Sequence, residues 1–308
     1  MKILVMGAGT MGAYYGARLQ QAGEDVVFCA RGATLQALQQ HGLEIKSING
    51  DLTLPTVVAT DDPATHKPYD LILFCVKSYH TDEAARQIAG CLRPGGAVLT
   101  LQNGVENEAA IARVIGDDAV MSGNARVFAD MPEPARIVHT GMGYIEFGEI
   151  DGRISDRARE YEAVFKRAGI LGKLVTNIRD LRWEKLMSNS AFNSITTLTG
   201  RNLGEIYDDP DGIRMLRVMM EETVAAARAE GANIASDRIE WLLDFVNRNL
   251  RESNSSTLQD LRRGRRLEYD AITGAVLRAA RRHGIDVPVT ESVNALLRLL
   301  DPAAAPPP

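Results

Sequence analysis

The sequence contains few of the residues that build disulfide frameworks or metal sites. Its 308 residues include only three cysteines, and no two of them form a CxxC pair. An odd number without that spacing argues against both a disulfide framework and a zinc site. The five histidines are scattered without the spacing of metal ligands, so the sequence predicts no bound metal. No apolar run approaches the roughly 20 residues that a membrane-spanning helix needs.

Positive charge is also scarce relative to negative charge. The chain has 35 lysines and arginines against 40 aspartates and glutamates, which gives a net charge of −5. That balance argues against nucleic acid as a partner, just as the missing apolar run argues against a membrane. The strand pattern begins at residue 2 and leaves no room for a signal peptide, so we expect a cytoplasmic protein. The sequence leaves monomer and homodimer open.

What the sequence does contain is a glycine-rich motif directly after the apolar run Ile3–Met6. The motif leads into a segment of helical composition, and this strand–turn–helix context predicts a dinucleotide-binding site. Gly7 permits the tight turn, Gly9 lets the backbone approach a pyrophosphate, and Gly12 lets helix and strand pack closely. The alternative is a tight turn without a ligand. The cofactor-binding residues predicted here are Gly7, Ala8, Gly9, Thr10, Met11 and Gly12.

Arg31 indicates which dinucleotide the site prefers. It ends the second apolar run, 26–30, about twenty residues after the glycines, where NAD-binding sites place an acidic residue for the ribose 2′-hydroxyl. A guanidinium cannot accept that hydrogen bond, but it can form a forked contact with a 2′-phosphate. The sequence therefore predicts NADP rather than NAD. The alternative is a solvated arginine at the end of a strand.

Strand and helix patterns alternate through the first half of the chain. Such alternation predicts an α/β fold with a Rossmann-type, doubly wound, mostly parallel sheet. The predicted strands are 3–6, 26–30, 71–76 and 97–101, and the predicted helices are 10–21, 81–89 and 107–115. Residues 119–148 carry short strand-like pieces with glycines, which predicts an antiparallel addition at the sheet edge.

From about residue 176 the strand patterns give way to segments of helical period. The predicted helices are 181–198, 212–230, 237–250, 268–282 and 290–299. We therefore expect an NADP-binding Rossmann domain over residues 1–173 and an all-α substrate and catalytic domain over 174–301. The Pro/Ala-rich tail, 302–308, is predicted to be disordered.

Two polar residues follow predicted strands at the sheet edge where ligands of such folds bind. Lys77 comes directly after the run 71–76, and Asn103 comes shortly after the run 97–101. Because ligands gather beyond the carboxyl ends of parallel strands, both side chains are candidates to contact the nicotinamide half of a cofactor. The alternative is ordinary solvated loop polarity.

A polar stripe is the most informative feature of the second half. Lys185, Asn189 and Asn193 are spaced i, i+4 and i+8, so on a helix they share one face. Met187, Ala191 and Ile195 fall on the opposite face, where packing is expected. An amide can donate to a carboxylate and accept from a hydroxyl, and a lysine can supply a proton. The alternative is a solvated outer face.

A second polar cluster, 254–260, precedes the helix that opens near Glu268. Its serine, threonine and aspartate residues could bind substrate or could only cap a helix. The arginines that follow, at 262, 263, 265 and 266, are predicted to form a solvated face rather than a phosphate site.

Taken together, these motifs resemble those of the ketopantoate reductases (2-dehydropantoate 2-reductases), which make pantoate for coenzyme A synthesis. The resemblance extends over nearly the whole chain, and its last three motifs are specific. The motifs are GAGTMG at 7–12, CVKS at 75–78, LQNG at 101–104, WEKLMSNSAFN at 183–193, SSTLQD at 255–260 and GxxxExDAITG at 264–274.

The resemblance implies a role for each matching residue. Lys185 and Glu268 would be catalytic, with Lys185 as the proton donor and Glu268 near it and the cofactor ribose. The cofactor would contact Gly7, Ala8, Gly9, Thr10, Met11, Gly12, Arg31, Lys77, Asn103, Ala129 and Glu268. The substrate would contact Asn103, Lys185, Asn189, Asn193, Asn202, Asn254 and Ser256.

The implied activity is NADPH-dependent reduction of 2-dehydropantoate, with a proton from Lys185 delivered to the carbonyl oxygen as hydride attacks the keto carbon. Another branched 2-oxo acid is the first alternative, and a non-catalytic NADP-binding module is the second. One residue departs from the family, which often has a glycine where this chain has Glu106. A carboxylate near an anionic substrate could change the substrate preference, but we interpret Glu106 as an acid that opens the following helix.

Overall fold

A computed structural model of the protein describes residues 1–304 and divides the chain into two compact units. The first unit consists of Met1–Gln102 and Asn107–Ile178, and the second consists of Asn103–Glu106 and the chain from Arg179 onward. The sequence prediction places the boundary slightly earlier, at residue 173, and gives no sign that four residues of the first half belong with the second unit. Within the predicted tail, residues 305–308 lie outside the described residues.

The first unit contains one ten-stranded sheet with five helices. The strands are β1 (Lys2–Met6), β2 (Asp25–Cys29), β3 (Leu43–Ser47), β4 (Leu52–Leu54), β5 (Val58–Thr60), β6 (Tyr69–Phe74), β7 (Leu92–Thr100), β8 (Val120–Glu133), β9 (Arg136–Glu149) and β10 (Leu171–Leu174). The helices are α1 (Thr10–Gln21), α2 (Gly32–His41), α3 (Thr81–Gln87), α4 (Asn107–Ile115) and α5 (Asp156–Arg167).

The central strands have the order of a doubly wound dinucleotide-binding sheet. β5, β2, β1, β6, β7 and β8 are parallel neighbours in that order, which confirms the Rossmann-type prediction. The connection reverses direction between β1 and β6, and ligands of such sheets bind beyond the strand ends at this point. Along β1, Ile3 and Val5 enter the core on one face of the sheet while Leu4 enters the core on the other.

The antiparallel part of the sheet corrects one prediction. β8 and β9 pair antiparallel, as predicted for residues 119–148. They are not at the sheet edge, however, because β3 and β10 both pair with β9, and β4 continues the sheet beyond β3. The sequence pattern misses these added strands because they are short and only partly buried.

The second unit is helical. Its helices are α6 (Ile178–Ser188), α7 (Ser194–Thr199), α8 (Leu203–Tyr207), α9 (Pro210–Ala229), α10 (Arg238–Asn249), α11 (Ser256–Arg262), α12 (Tyr269–Arg282) and α13 (Pro288–Leu300). A π-helical segment, Asn189–Asn193, joins α6 to α7. The apolar faces of α9, α12 and α13 supply much of its core. Among residues 1–304, no helix has the length and apolar character of a membrane span.

Candidate active site

Two of the three motif glycines are required by the packing of the protein itself. Gly7 has a φ of +98°, and a Cβ built on it would lie 2.8 Å from the backbone nitrogen of Val76. A Cβ on Gly12 would lie 2.3 Å from the carbonyl oxygen of Gly7. The turn is held by the Gly7 and Ala8 amides, which both donate to the Cys29 carbonyl at 3.1 and 2.9 Å.

Gly9 has no such internal reason to be a glycine. Its φ of −74° suits any residue, and a Cβ built on it would meet no atom within 4 Å. Gly9 is the N-cap of α1, no side chain caps that helix, and its first turn holds no acidic residue. The open space and the unneutralised positive end of the helix dipole fit a bound pyrophosphate. The cradle therefore accommodates the dinucleotide that the motif predicts.

Arg31 stands at the N-cap of α2 with a half-exposed side chain. Its guanidinium contacts the carboxylate of Glu83 on α3, with Nη2 2.6 Å from Oε1. The hydrogen bond from Arg31 lowers the pKa of Glu83 and raises that of Arg31 itself. The sequence signals Arg31 but not this partner, which lies 52 residues further along the chain.

A buried glutamine supports the turn that carries Lys77. Gln102 is 3% exposed, and its amide nitrogen donates to the Val76 carbonyl at 3.0 Å and to Thr81 Oγ1 at 2.8 Å. Its amide oxygen accepts from Thr100 at 3.0 Å. Gln102 thus ties the end of β7 to the backbone beside Lys77. It belongs to the LQNG motif, and a polar residue at the end of a buried strand is the signal that could have identified it.

The segment Asn103–Glu106 is anchored to the helices of the second unit. The carbonyl of Gly104 accepts a hydrogen bond from Arg182, a residue of α6 that is 4% exposed. Val105 packs against the helical core. A buried guanidinium is costly unless it is hydrogen-bonded, so this contact fixes the loop firmly. Asn103 is therefore carried by the second unit, although in sequence it follows a strand of the first.

Glu106 directly precedes α4, as interpreted, and its carboxylate also pairs with arginines of α12. Its Oε2 lies 2.9 Å from Nε and 2.8 Å from Nη2 of Arg278, and its Oε1 accepts from Arg282 at 3.4 Å. Arg278 also donates to Asp270 at 2.8 Å. The acid is thus part of a charge network with α12. No local sequence signal reveals this, since Arg278 is 172 residues away.

The polar stripe lies on the segment 185–197, whose other residues are buried. Lys185, Asn189 and Asn193 are partly exposed, whereas Met187, Ala191 and Ile195 are buried, which confirms the predicted packing face. Among the described residues, the side-chain amides of Asn189 and Asn193 have no hydrogen-bond partner, so both remain available for a ligand.

The π-helical segment keeps the stripe in line. In an α-helix, residues four apart drift by about 40° around the axis, so an i, i+4, i+8 stripe gradually turns away. The turn over Asn189–Asn193 is π-helical and closes with i→i+5 hydrogen bonds, so one turn contains more residues than a turn of α-helix. A step of four residues therefore rotates by less than a full turn in this segment. The drift between Lys185 and Asn189 is thus offset between Asn189 and Asn193. Sequence spacing predicts the residues but not this geometry.

Threonine hydroxyls satisfy the backbone around this wider turn. The Asn193 carbonyl accepts from Thr197 Oγ1 at 2.5 Å and from Thr196 Oγ1 at 3.1 Å. Thr196 Oγ1 also lies 2.7 Å from the Phe192 carbonyl oxygen and 2.7 Å from Ser255 Oγ, where the two hydroxyls share a hydrogen bond. Because buried carbonyls need partners, these hydroxyls stabilise the π turn. They also join it to the beginning of α11.

The predicted residues near α11 divide into two groups. Ser255 is the N-cap of α11, and its hydroxyl accepts from the Leu258 amide at 3.1 Å, so this part of the cluster is capping. Asn254 and Ser256 are exposed. The π segment packs against both α11 and α12, which brings the start of α11 to the same part of the second unit as the stripe.

The side chain of Asn202 has a structural role, because it caps a helix. It is the N-cap of α8, where its side chain accepts from the Glu205 amide at 2.9 Å and the Glu205 side chain accepts from the Asn202 amide at 2.9 Å. This reciprocal capping box accounts for the residue. The signal N-x-x-E is visible in the sequence and could have identified it.

The remaining predicted residues have clear positions. Glu268 is the N-cap of α12 and is 7% exposed, and the preceding Leu267 amide donates to Asp301 at 3.0 Å. Ala129 lies in β8 opposite His139, beside an irregularity of the strand register. The four arginines that begin at Arg262 are exposed, as predicted. Residues 1–304 contain no cluster of histidine, cysteine and acidic side chains that could hold a metal.

Comparison with known proteins identifies the family. Residues 3–152 match the family model described as ketopantoate reductase PanE/ApbA, and residues 177–301 match the model of its C-terminal part. The chain belongs to the ketopantoate reductase family. It is therefore a dinucleotide-binding oxidoreductase, which confirms the resemblance and the enzyme class inferred from the motifs.

Relatives and solved structures match over nearly the full length. A 2-dehydropantoate 2-reductase of Archaeoglobus fulgidus is 33% identical over 299 residues, covering 96% of this chain and 97% of the relative. The crystal structure of 2-dehydropantoate 2-reductase from Geobacter metallireducens matches with a TM-score of 0.92 and 34% identity, covering 97% and 99% of the two chains. A D-mandelate dehydrogenase solved with NADH and anilino(oxo)acetate shares the fold, with a TM-score of 0.91 and 21% identity over 97% and 98%.

Proposed function

We propose that the protein reduces 2-dehydropantoate to pantoate with NADPH, as a cytoplasmic step of pantothenate and coenzyme A biosynthesis. The family membership and the full-length relatives named 2-dehydropantoate 2-reductase support this substrate. The observation that carries the proposal is the partly exposed stripe of Lys185, Asn189 and Asn193 on the otherwise buried segment 185–197. A non-catalytic binding module has no need of such a stripe.

The first unit holds most of the proposed cofactor contacts. The amides of residues 7–12 would hold the pyrophosphate, for which Gly9 leaves space, and Arg31 would hold the 2′-phosphate. Lys77, Ala129, Asn103 and Glu268 would hold the nicotinamide-ribose half. When bound, NADPH supplies the hydride that reduces the keto carbon.

The second unit supplies the proposed substrate contacts. The amides of Asn189 and Asn193 and the hydroxyl of Ser256 hydrogen-bond the carboxylate and hydroxyl groups of the substrate. The Lys185 ammonium donates to the keto oxygen, stabilises the negative charge that develops there, and transfers the proton. Asn103 and Asn254 complete the set, whereas Asn202 is left out because its amide caps α8.

A steady-state assay tests the proposal. The purified enzyme is given 2-dehydropantoate and NADPH, and turnover is followed by the loss of reduced-nicotinamide absorbance. NADH and other branched 2-oxo acids serve as matched comparisons. We expect the highest kcat/KM with 2-dehydropantoate and NADPH. Comparable or higher kcat/KM with another acid contradicts the substrate, and binding of NADPH without any turnover contradicts catalysis.

A reductase of another 2-oxo acid is the second candidate. The fold also serves a D-mandelate dehydrogenase, so the fold alone does not select the substrate. The amides of the stripe recognise a carboxylate and a carbonyl, which every 2-oxo acid carries. The same substrate panel distinguishes the two candidates.

A further inference from the structure

The corner of the first unit that carries Arg31 is not simply basic. Glu83, in the first turn of α3, lies 2.6 Å from the Arg31 guanidinium, and both side chains are about half exposed. Asp61, directly after β5, adds a further negative charge that acts on Arg31. One guanidinium at the end of β2 therefore contacts one carboxylate and lies within the field of a second. This balance was invisible in the sequence, where Arg31 stands alone.

The two kinds of group have opposite preferences for the dinucleotide. A carboxylate at this position accepts hydrogen bonds from the ribose hydroxyls of NADH and repels a 2′-phosphate. A guanidinium binds the 2′-phosphate through a forked, charge-assisted pair. Since Arg31 already donates to Glu83, a 2′-phosphate must share or displace that hydrogen bond. The negative charge of Glu83 also repels the phosphate.

We propose that Glu83 is a specificity-determining residue that reduces the preference of this enzyme for NADPH over NADH by occupying Arg31. This inference rests on the proposed contact between Arg31 and the 2′-phosphate. Glu83 changes the ratio of the NADPH and NADH affinities, and it does not affect the contacts to the parts that the two dinucleotides share. In the opposite role, Glu83 orients Arg31 for the 2′-phosphate. Removing the charge of Glu83 then lowers the affinity ratio of NADPH over NADH.

Four proteins test the proposal: the wild type, Glu83→Gln, Asp82→Asn and Arg31→Ala. The glutamine keeps the shape of Glu83 and removes its charge. Asp82 is the matched control, because it is the neighbouring exposed acid of α3 and faces Arg113 at 3.8 Å instead of Arg31. The dissociation constants of NADPH and NADH are measured directly by the fluorescence of the reduced nicotinamide, so the test does not require turnover.

We expect Glu83→Gln to raise the affinity ratio of NADPH over NADH about two- to fivefold, the range of a single exposed charge pair. The gain should shrink at high salt, where such pairs are screened. Asp82→Asn should leave the ratio unchanged. An unchanged or lower ratio in Glu83→Gln overturns the inference.

The Arg31→Ala variant separates this inference from the proposed function. We expect it to weaken NADPH binding far more than NADH binding. If Arg31→Ala lowers the ratio and Glu83→Gln does not raise it, only the role of Glu83 is wrong. If Arg31→Ala weakens both dinucleotides equally, the 2′-phosphate contact itself is wrong, and the inference about Glu83 falls with it.

Discussion

The two units form their proposed ligand contacts in different ways. In the first unit the dinucleotide cradle is made by the backbone: a tight turn, a helix N-terminus and a glycine that leaves space. In the second unit the proposed substrate contacts are side chains, spread over a helix that changes its winding at Asn189–Asn193. A backbone site depends on local sequence. A site made of side chains also depends on residues far away in the sequence, because they set the positions of those side chains.

The largest effect should come from removing the proposed proton donor of the second unit. Lys185→Ala should lower kcat about 10²–10⁴-fold, because the keto oxygen then lacks a donor, and NADPH affinity should stay nearly unchanged. Lys173→Ala, an exposed lysine of β10, is the control. Steady-state kinetics and NADPH titration measure both quantities. A Lys185→Ala enzyme with near-normal kcat would contradict the role.

Alanine substitutions at Gly9 and at Gly12 of the backbone cradle should have different effects, the first mainly on NADPH affinity and the second mainly on the free energy of unfolding. Gly9→Ala should weaken NADPH about tenfold or more, equivalent to 1.4 kcal/mol. Its free energy of unfolding should change by less than about 1 kcal/mol, because the new Cβ meets no protein atom. Gly12→Ala should lose about 2 kcal/mol or more of stability, because its Cβ meets the Gly7 carbonyl. Titration and denaturant unfolding distinguish them, and equal losses of stability would contradict the comparison.

A partly buried ion pair between Glu149 and Arg157 should make the first unit sensitive to acid. Burial raises the pKa of Glu149, but hydrogen bonds from Arg157 and Ser155 outweigh that effect and lower it. A lowered folded-state pKa stabilises the fold above the unfolded value of about 4.3, and this stability is lost as pH falls below it. Glu149→Gln should therefore cost about 1–3 kcal/mol at neutral pH.

The acid sensitivity of Glu149→Gln is measured by denaturant unfolding across pH. The difference from wild type should shrink as the wild-type carboxylate becomes protonated, and KM for the 2-oxo acid should not change. A difference in stability that persists unchanged into strong acid would show that Arg157 and Ser155 do not act through the charge of Glu149.

The smallest effect should come from the hydroxyl that stabilises the π turn. Thr197→Val removes the donor to the Asn193 carbonyl and should cost about 1 kcal/mol. KM for the 2-oxo acid should rise a few-fold as Asn193 shifts, with NADPH affinity unchanged. Thr199→Val is the matched control, since its hydroxyl donates to the Ile195 carbonyl outside the π turn. Equal effects on KM in both variants would argue against a special role for the turn.

The same contrast explains what could be predicted from the sequence. The bounds of α1, Thr10–Gln21, and the role of Gly7 follow from local rules, and the structure agrees with both. The stripe residues were visible by their spacing, but the π turn was not, because it depends on hydroxyls and packing. The partners of Arg31 and Glu106 were hidden by distance along the chain.

A crystal structure with NADP⁺ and pantoate would test the central claim most directly. We expect the pyrophosphate over Gly9 and the 2′-phosphate on Arg31. Pantoate should contact Asn189 and Asn193, with Lys185 Nζ in hydrogen-bond distance of the hydroxyl that the reduction forms. Pantoate bound away from this stripe, or Lys185 directed elsewhere, would contradict the account.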